Sequence, residues 1–241
     1  MRARLVLVPN LLGVATPSDV LPRRTIEAAQ RLQHFVVETP KVARAFLKTL
    51  SPERVIADIA MVACNESNAV SQCLAWLSAG IDVGVISDAG CPGMADPGAL
   101  FVAAAHQANV SVVPLVGPSS LLLGLMASGL NGQHVTFHGY LPAKPLERDT
   151  ALKALDRAIH TTNTKLSATQ AFIETPYRNA AMLAAILQNV ASKTVLCVAQ
   201  NLASDGERIV AKPVGQWSKQ DADWVGEKSP TLFLLGQFAT P

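Results

Sequence analysis

Charge is scarce in this chain. Asp, Glu, Lys and Arg make up 16% of its 241 residues and balance to a formal net charge of +2. So small an excess does not argue for nucleic acid by bulk charge, though it leaves room for a local basic patch. Cysteine is sparse too. Cys64, Cys73, Cys91 and Cys197 show no C-x-x-C spacing, and His106, His134, His138 and His160 are scattered. That pattern argues against a zinc site or a disulfide framework. Reduced, mostly buried thiols in a cytoplasmic protein that needs no metal are expected instead. No apolar run approaches the roughly 18–20 residues of a membrane span, so no membrane association is expected. Met1-Arg2-Ala3-Arg4 before Leu5 to Val8 has the outline of a signal peptide, but Pro9-Asn10 breaks the run. A first strand entering a loop is the better reading. Nucleotide and hydrolase signatures are missing: there is no G-x-G-x-x-G, no phosphate loop ending in Gly-Lys-Ser/Thr, and no G-x-S-x-G elbow.

What the chain does have is apolar residues, 49% of the total. They mark a globular protein, and the length suits one large or two modest domains. Short apolar runs at 5–8, 35–37, 56–62, 83–86 and 110–113 alternate with helical patterns. One such pattern is Val70, Cys73, Leu74 and Leu77, which share a helix face. Strands alternating with helices predict an α/β fold with a parallel sheet. The pattern changes near Gly117-Pro118-Ser119-Ser120. Further strands at 135–137, 171–173, 195–198, 208–210 and 231–235 predict a mixed-sheet α+β half. The expected domains are 1–116 and 117–241.

Residues 81–98 organise the chain. The run Val83, Val85, Ile86 stops at Ser87 and is followed by Asp88, Ala89, Gly90, Pro92 and Gly93. Asp96-Pro97-Gly98 then precedes an alanine-rich helix. This reads as strand, glycine-rich loop and helix, with Asp96 as N-cap and Pro97 as the first helical residue. In open α/β sheets ligands sit at such strand ends. Asp88 has two readings there: it caps the loop through backbone N–H groups, or it meets a cationic ligand. Ser119 and Ser120 either cap the next helix or offer its N-terminus to a carboxylate. Glu174 and Arg178 flank a proline turn. They form a surface ion pair of little worth, or the arginine holds a phosphate or carboxylate. Lys144 is a further candidate phosphate contact.

Five stretches together carry a resemblance. They are Ser87-Asp88-Ala89-Gly90-Cys91-Pro92-Gly93 through Asp96-Pro97-Gly98; Val113-Pro114-Leu115-Val116-Gly117-Pro118-Ser119; Ala127-Ser128-Gly129-Leu130; Phe137-His138-Gly139-Tyr140-Leu141-Pro142-Ala143-Lys144; and Glu174-Thr175-Pro176-Tyr177-Arg178. In this order they resemble the tetrapyrrole methylase superfamily of S-adenosylmethionine (SAM)-dependent methyltransferases, in the branch of ribosomal RNA small subunit methyltransferase I. The resemblance spans roughly residues 5 to 237. It implies a two-domain fold, usually dimeric, with SAM in the cleft between the domains. Pro9, Asp88, Ala89, Gly90, Ser119, Ser120, Tyr140, Leu141 and Pro230 are then the expected SAM contacts, and the implied acceptor is a ribose 2′-hydroxyl of rRNA.

A hydroxyl acceptor needs a base or a strongly polarised site. Glu38, Glu66 and Glu174 are candidates, with Arg178 beside the acceptor. The first half departs from the branch pattern. P-T-P-I-G-N-L becomes Pro9-Asn10-Leu11-Leu12-Gly13 without the Gly-Asn. A-E-D-T-R becomes Val37-Glu38-Thr39-Pro40-Lys41, and H-E-H-N-E becomes Val62-Ala63-Cys64-Asn65-Glu66. These changes point to a divergent paralogue. They leave open a tetrapyrrole or other small-molecule methyltransferase, and a SAM-binding protein without catalysis.

Overall fold

The computed structural model describes residues 3–161 and 168–239. The chain divides into two compact units, Met1–Ser119 and Ser120–Pro241. In the first unit, β1 (Arg4–Leu7), β2 (His34–Val37), β3 (Ala60–Ala63), β4 (Val83–Ile86) and β5 (Ser111–Pro114) form one sheet. Their order is β3-β2-β4-β1-β5, and every pairing is parallel. Parallel neighbours need long crossovers. These contain α1 (Pro17–Val20), α2 (Arg23–Arg31), α3 (Pro40–Leu50), α4 (Ala69–Ser78) and α5 (Gly98–Gln107).

Side chains on a strand alternate between faces, and here both faces are buried. Val6, Val8, Phe35 and Val37 pack with Leu32, Phe46 and Leu47 in one core. Leu5, Val36 and Val85 pack with Cys73, Leu77 and Phe101 in the other. A strand covered on both sides reads as an unbroken apolar run, and for that reason these strands were visible in the sequence.

Three details differ from expectation. The helix assigned to begin at Pro97 starts at Gly98, with Pro97 in the cap position. Asp96 still caps it from one residue further out. Its Oδ1 accepts from the Gly98 N–H at 2.7 Å and from the Gly93 N–H at 2.8 Å. The third strand is shorter than 56–62, because Ile56–Asp58 forms a 3-10 turn. Finally, α1 lies in a stretch read as loop.

In the second unit, α6 (Ser120–Ser128), β6 (Val135–Tyr140), α7 (Pro145–Thr161), β7 (Thr169–Glu174), α8 (Asn179–Asn189), β8 (Val195–Gln200), β9 (Arg208–Pro213), α9 (Lys219–Val225) and β10 (Thr231–Gly236) follow in turn. The sheet order is β6-β7-β10-β8-β9. Only β6 and β7 are parallel; the other pairings are antiparallel. Leu152, Ile159, Phe172, Met182, Ile186 and Phe233 fill its core. The short helix α9 has no apolar period to betray it. A capping box holds it: the Ser218 hydroxyl accepts from the Asp221 N–H, and the Asp221 carboxylate accepts from the Ser218 N–H.

Gly84 faces Phe35 across the β2–β4 pairing. A Cβ at position 84 would lie 2.5 Å from two ring carbons of Phe35, which is fully buried. Gly84→Ala is therefore expected to destabilise the fold by about 1–3 kcal/mol through overpacking. Urea unfolding checks this, and an unchanged midpoint would show that the ring can move aside.

Candidate functional site

In a parallel sheet all carboxyl ends face one edge, and ligand sites of open α/β folds lie there. In the first unit that edge is built around Asp88, just past β4. The neighbouring strands β1 and β2 both reach it. From β1, the buried Asn10 donates its side-chain amide to the carbonyls of Ser87 and Asp88, both at 3.1 Å. Its backbone N–H donates to the Gly90 carbonyl at 2.9 Å. From β2, Thr39 donates its N–H to Asp88 Oδ1 at 3.1 Å and its hydroxyl to Asp88 Oδ2 at 2.7 Å. The Asp88 N–H in turn donates to Glu38 Oε2 at 2.9 Å. Three adjacent strand ends are thus fastened to one residue.

The end of β5 closes on the same edge. A Cβ on Gly117 would lie 2.2 Å from Pro9 Cβ, so glycine is what lets these backbones meet. The Cys91 thiol donates to the Pro118 carbonyl at 3.3 Å. Gly90 has φ +67°, and a Cβ there would sit 3.0 Å from Leu12 Cδ2 and 3.5 Å from the Pro118 carbonyl oxygen. The positive φ favours glycine, and a Cβ would crowd the end of the Leu12 side chain.

This edge is acidic. Burial, and then repulsion from Asp88 and Asp96, push the Glu38 carboxyl above its ordinary value, against the hydrogen bond from Asp88. The Cys64 thiol is pushed up to about 12, first by burial and then by Glu38 and Asp96. It is a neutral thiol and no nucleophile. Among the described residues no group of acidic, histidine and cysteine side chains is arranged to hold a metal.

In the second unit β6 and β7 are parallel and β10 runs against them, so the ends of β6 and β7 meet the start of β10. Tyr140 is aligned with Ile173, and Glu174 with Thr231. This collects Tyr140, Leu141, Glu174, Arg178 and Pro230 at one end of the sheet. Tyr140 is exposed and Leu141 is buried. Glu174 is buried, and one of its carboxylate oxygens is heavily engaged. Its Oε1 accepts from the Thr175 N–H at 2.6 Å and from Arg178 Nε at 2.7 Å, and lies 2.6 Å from Arg178 Nη2. The pair is therefore no loose surface contact, because the Glu174 side chain is 2% exposed and that of Arg178 30%. Asn179, fully buried, donates to the Glu227 and Ser229 carbonyls and so holds the loop that ends at Pro230.

The expected residues of the first unit, Pro9, Asp88, Ala89 and Gly90, lie together at its carboxyl edge, with Ser119 at the end of that unit. Glu66 follows the edge strand β3, is exposed, and accepts from the Ala63 N–H at 2.9 Å. Ser120 begins α6. Lys144 is exposed and paired with Glu147. Sequence reasoning missed Asn10, Thr39 and Asn179. A small polar residue directly after a strand or turn was the available signal.

The comparisons agree with this geometry. No family profile matches the chain. Among solved structures, the methyltransferase CobJ superposes with a TM-score of 0.64 at 16% identity, covering 100% of this chain and 96% of its own. The uroporphyrin-III C-methyltransferase of Thermus thermophilus, solved with S-adenosyl homocysteine, gives a TM-score of 0.55 at 15% identity over 99% and 98% of the two chains. The fold is that of the tetrapyrrole methylase class of methyltransferases. Among curated proteins, ribosomal RNA small subunit methyltransferase I of Xylella fastidiosa is 32% identical over 94% of this chain and 80% of its own length. The enzyme of that name from Escherichia coli O157:H7 is 28% identical over 91% and 73%. The one from Micromonospora olivasterospora is 32% identical over 86% and 61%, so this chain spans less than two thirds of that relative. The chain belongs to the ribosomal RNA small subunit methyltransferase I family.

Two outcomes follow from the site. Native Glu38 holds its proton above the ordinary value of 4.5. Where the unfolded chain has already lost that proton, the native state binds more, so this group's contribution to stability falls as pH rises through its native pKa. Glu38→Gln keeps an oxygen for the Asp88 N–H and should lose that decline. Urea midpoints of both proteins between about pH 4.5 and 7 test it, and parallel curves would refute the assignment. Arg178→Ala strips the buried Glu174 of its counter-charge and should cost about 2–3 kcal/mol. A thermal midpoint at the wild-type value would show that Thr175 suffices.

Proposed function

We propose that this protein transfers a methyl group from SAM to a ribose hydroxyl of small-subunit ribosomal RNA, acting in the cytoplasm as a homodimer. The observation that carries the reading is sequence identity of about a third to an rRNA methyltransferase across nearly the whole chain. The carboxyl edge of the first unit supports the cofactor. Gly90 takes a positive φ of +67° where a side chain would be strained, in a loop that Asn10 and Thr39 fasten by hydrogen bonds. Pro9, Asp88, Ala89, Gly90 and Ser119 are assigned to SAM. Bound SAM supplies an already activated methyl group, so the chain's part is positioning and exclusion of water.

The acceptor hydroxyl needs a proton acceptor. Of the candidate carboxylates, Glu38 is best suited. Its pKa is raised towards the working range, and it accepts only one backbone hydrogen bond among the described residues. Glu66 caps its own loop. Glu174 is committed to Arg178, and that pair is assigned to positioning the acceptor.

Calorimetry with SAM in excess chelator should show binding that needs no metal. Gly90→Val should lose that binding while circular dichroism stays native. Labelled methyl should pass from SAM to small-subunit rRNA from a strain lacking this protein, and light scattering should return twice the chain mass. Normal SAM binding by Gly90→Val would overturn the cofactor placement. Methyl transfer to a tetrapyrrole, or to nothing, would overturn the acceptor.

A further inference from the structure

We propose that a groove on the first unit, between α2 and the β1–β5 pair, binds the phosphate backbone of the acceptor RNA; this rests on the rRNA reading above. The groove encloses about 380 Å³. Its floor is apolar, from Val6, Val113 and Leu115, and its rim carries Arg4, Arg24 and Arg31. Asp82 is the one acidic residue among the groove's lining residues. It is already spent on Arg4: Oδ1 takes the Arg4 N–H at 2.8 Å, and Oδ2 takes Nη2 at 2.6 Å and Nε at 3.2 Å.

Arg24 and Arg31 stand on one stripe of α2, with the small Ala28 between them. Neither forms a hydrogen bond or ion pair among the described residues, whereas the helix's other polar side chains find partners. Arg23 pairs with Glu27, Thr25 donates to the Val116 carbonyl, and Gln30 donates to the Leu50 carbonyl. The unpartnered cations are the ones that face the groove. Arg24 is also placed against the local energetics. It lies in the first turn of α2, where the helix dipole disfavours a cation and where no acidic residue offsets it.

Spacing selects the ligand. Seven residues of helix separate the two guanidinium-bearing positions by about 10 Å along the axis. That distance suits separate phosphates of a chain better than one free phosphate. An exposed, bidentate arginine fork is matched to phosphate oxygens, and an apolar floor can lie under a sugar or base. The near-neutral total charge is then no obstacle, since Arg24 and Arg31 stand where the backbone would lie.

The test uses the whole chain and a fluorescent single-stranded RNA cut from small-subunit rRNA. Arg24→Ala/Arg31→Ala should bind it more weakly. The slope of log affinity against log salt should flatten by about 1.4, at about 0.7 for each single-strand phosphate that is no longer neutralised. Arg24→Lys/Arg31→Lys should keep most of the slope. SAM affinity should stay at the wild-type value in both, and methyl transfer should show a raised KM for RNA with kcat unchanged. An unchanged slope and KM in the alanine variant, with wild-type transfer intact, would overturn the groove and leave the rRNA reading standing. Absence of methyl transfer to rRNA by the wild type would instead sink that reading. Inorganic phosphate or AMP that binds the wild type, fails with the alanine variant and is not displaced by RNA would mark a small-phosphate site and overturn the RNA assignment.

Discussion

The first unit depends on one clasp. A parallel sheet leaves its strand ends as separate loops, each with unpaired backbone groups. At the end of β4, Asp88 ties in the two neighbouring ends: its carbonyl accepts from Asn10 after β1, while its N–H donates to Glu38 and its carboxylate accepts from Thr39, both after β2. Because β2 and β1 are the two neighbours of β4, this fixes the middle of the carboxyl edge. A site that must bring a reactive group to within a fraction of an ångström needs such support. Each carboxylate oxygen accepts one hydrogen bond from Thr39 in holding it.

The second unit solves a similar problem with a charge pair. Glu174 ends β7 in a nearly closed environment, where a lone carboxylate would be costly. Arg178 sits one turn further on and meets it from the solvent side. Asn179 then turns inward to hold the 227–229 loop. Proline at position 176 brings these residues close along the chain, so a short motif serves both as turn and as brace. Arg178 can still offer part of its guanidinium outwards, because its side chain remains 30% exposed.

Much of this was legible from sequence, and for physical reasons. Strands buried on both faces give runs such as Val83, Val85 and Ile86, and glycine marks the loop where backbones approach. The ten strands came through. Edges of elements did not, since a cap can act from one residue further out, as Asp96 does. The polar helix α9 and the short α1 carry no apolar period. The clasp was hidden for a different reason. Asn10, Thr39 and Asp88 lie up to 78 positions apart, and no local pattern says which strand will lie beside which. The groove on α2 was equally invisible, because an unpaired arginine looks the same in sequence as a paired one. Only the structure separates Arg24 from Arg23.

The departures from the branch pattern take on meaning at this edge. Thr39 stands where the pattern has an aspartate. A carboxylate there would face Asp88 with no proton to donate, and Glu38 and Asp96 already repel one another nearby. Threonine supplies the O–H that closes the clasp. Cys64 stands where the pattern has a histidine. A histidine among Glu38, Asp88 and Asp96 would be drawn towards its charged form, whereas the thiol stays neutral under the same field. The two changes act together. One removes an anion from the edge and the other removes a titratable cation. Glu38 is retained between them, and burial together with Asp88 and Asp96 holds its carboxyl above the ordinary value.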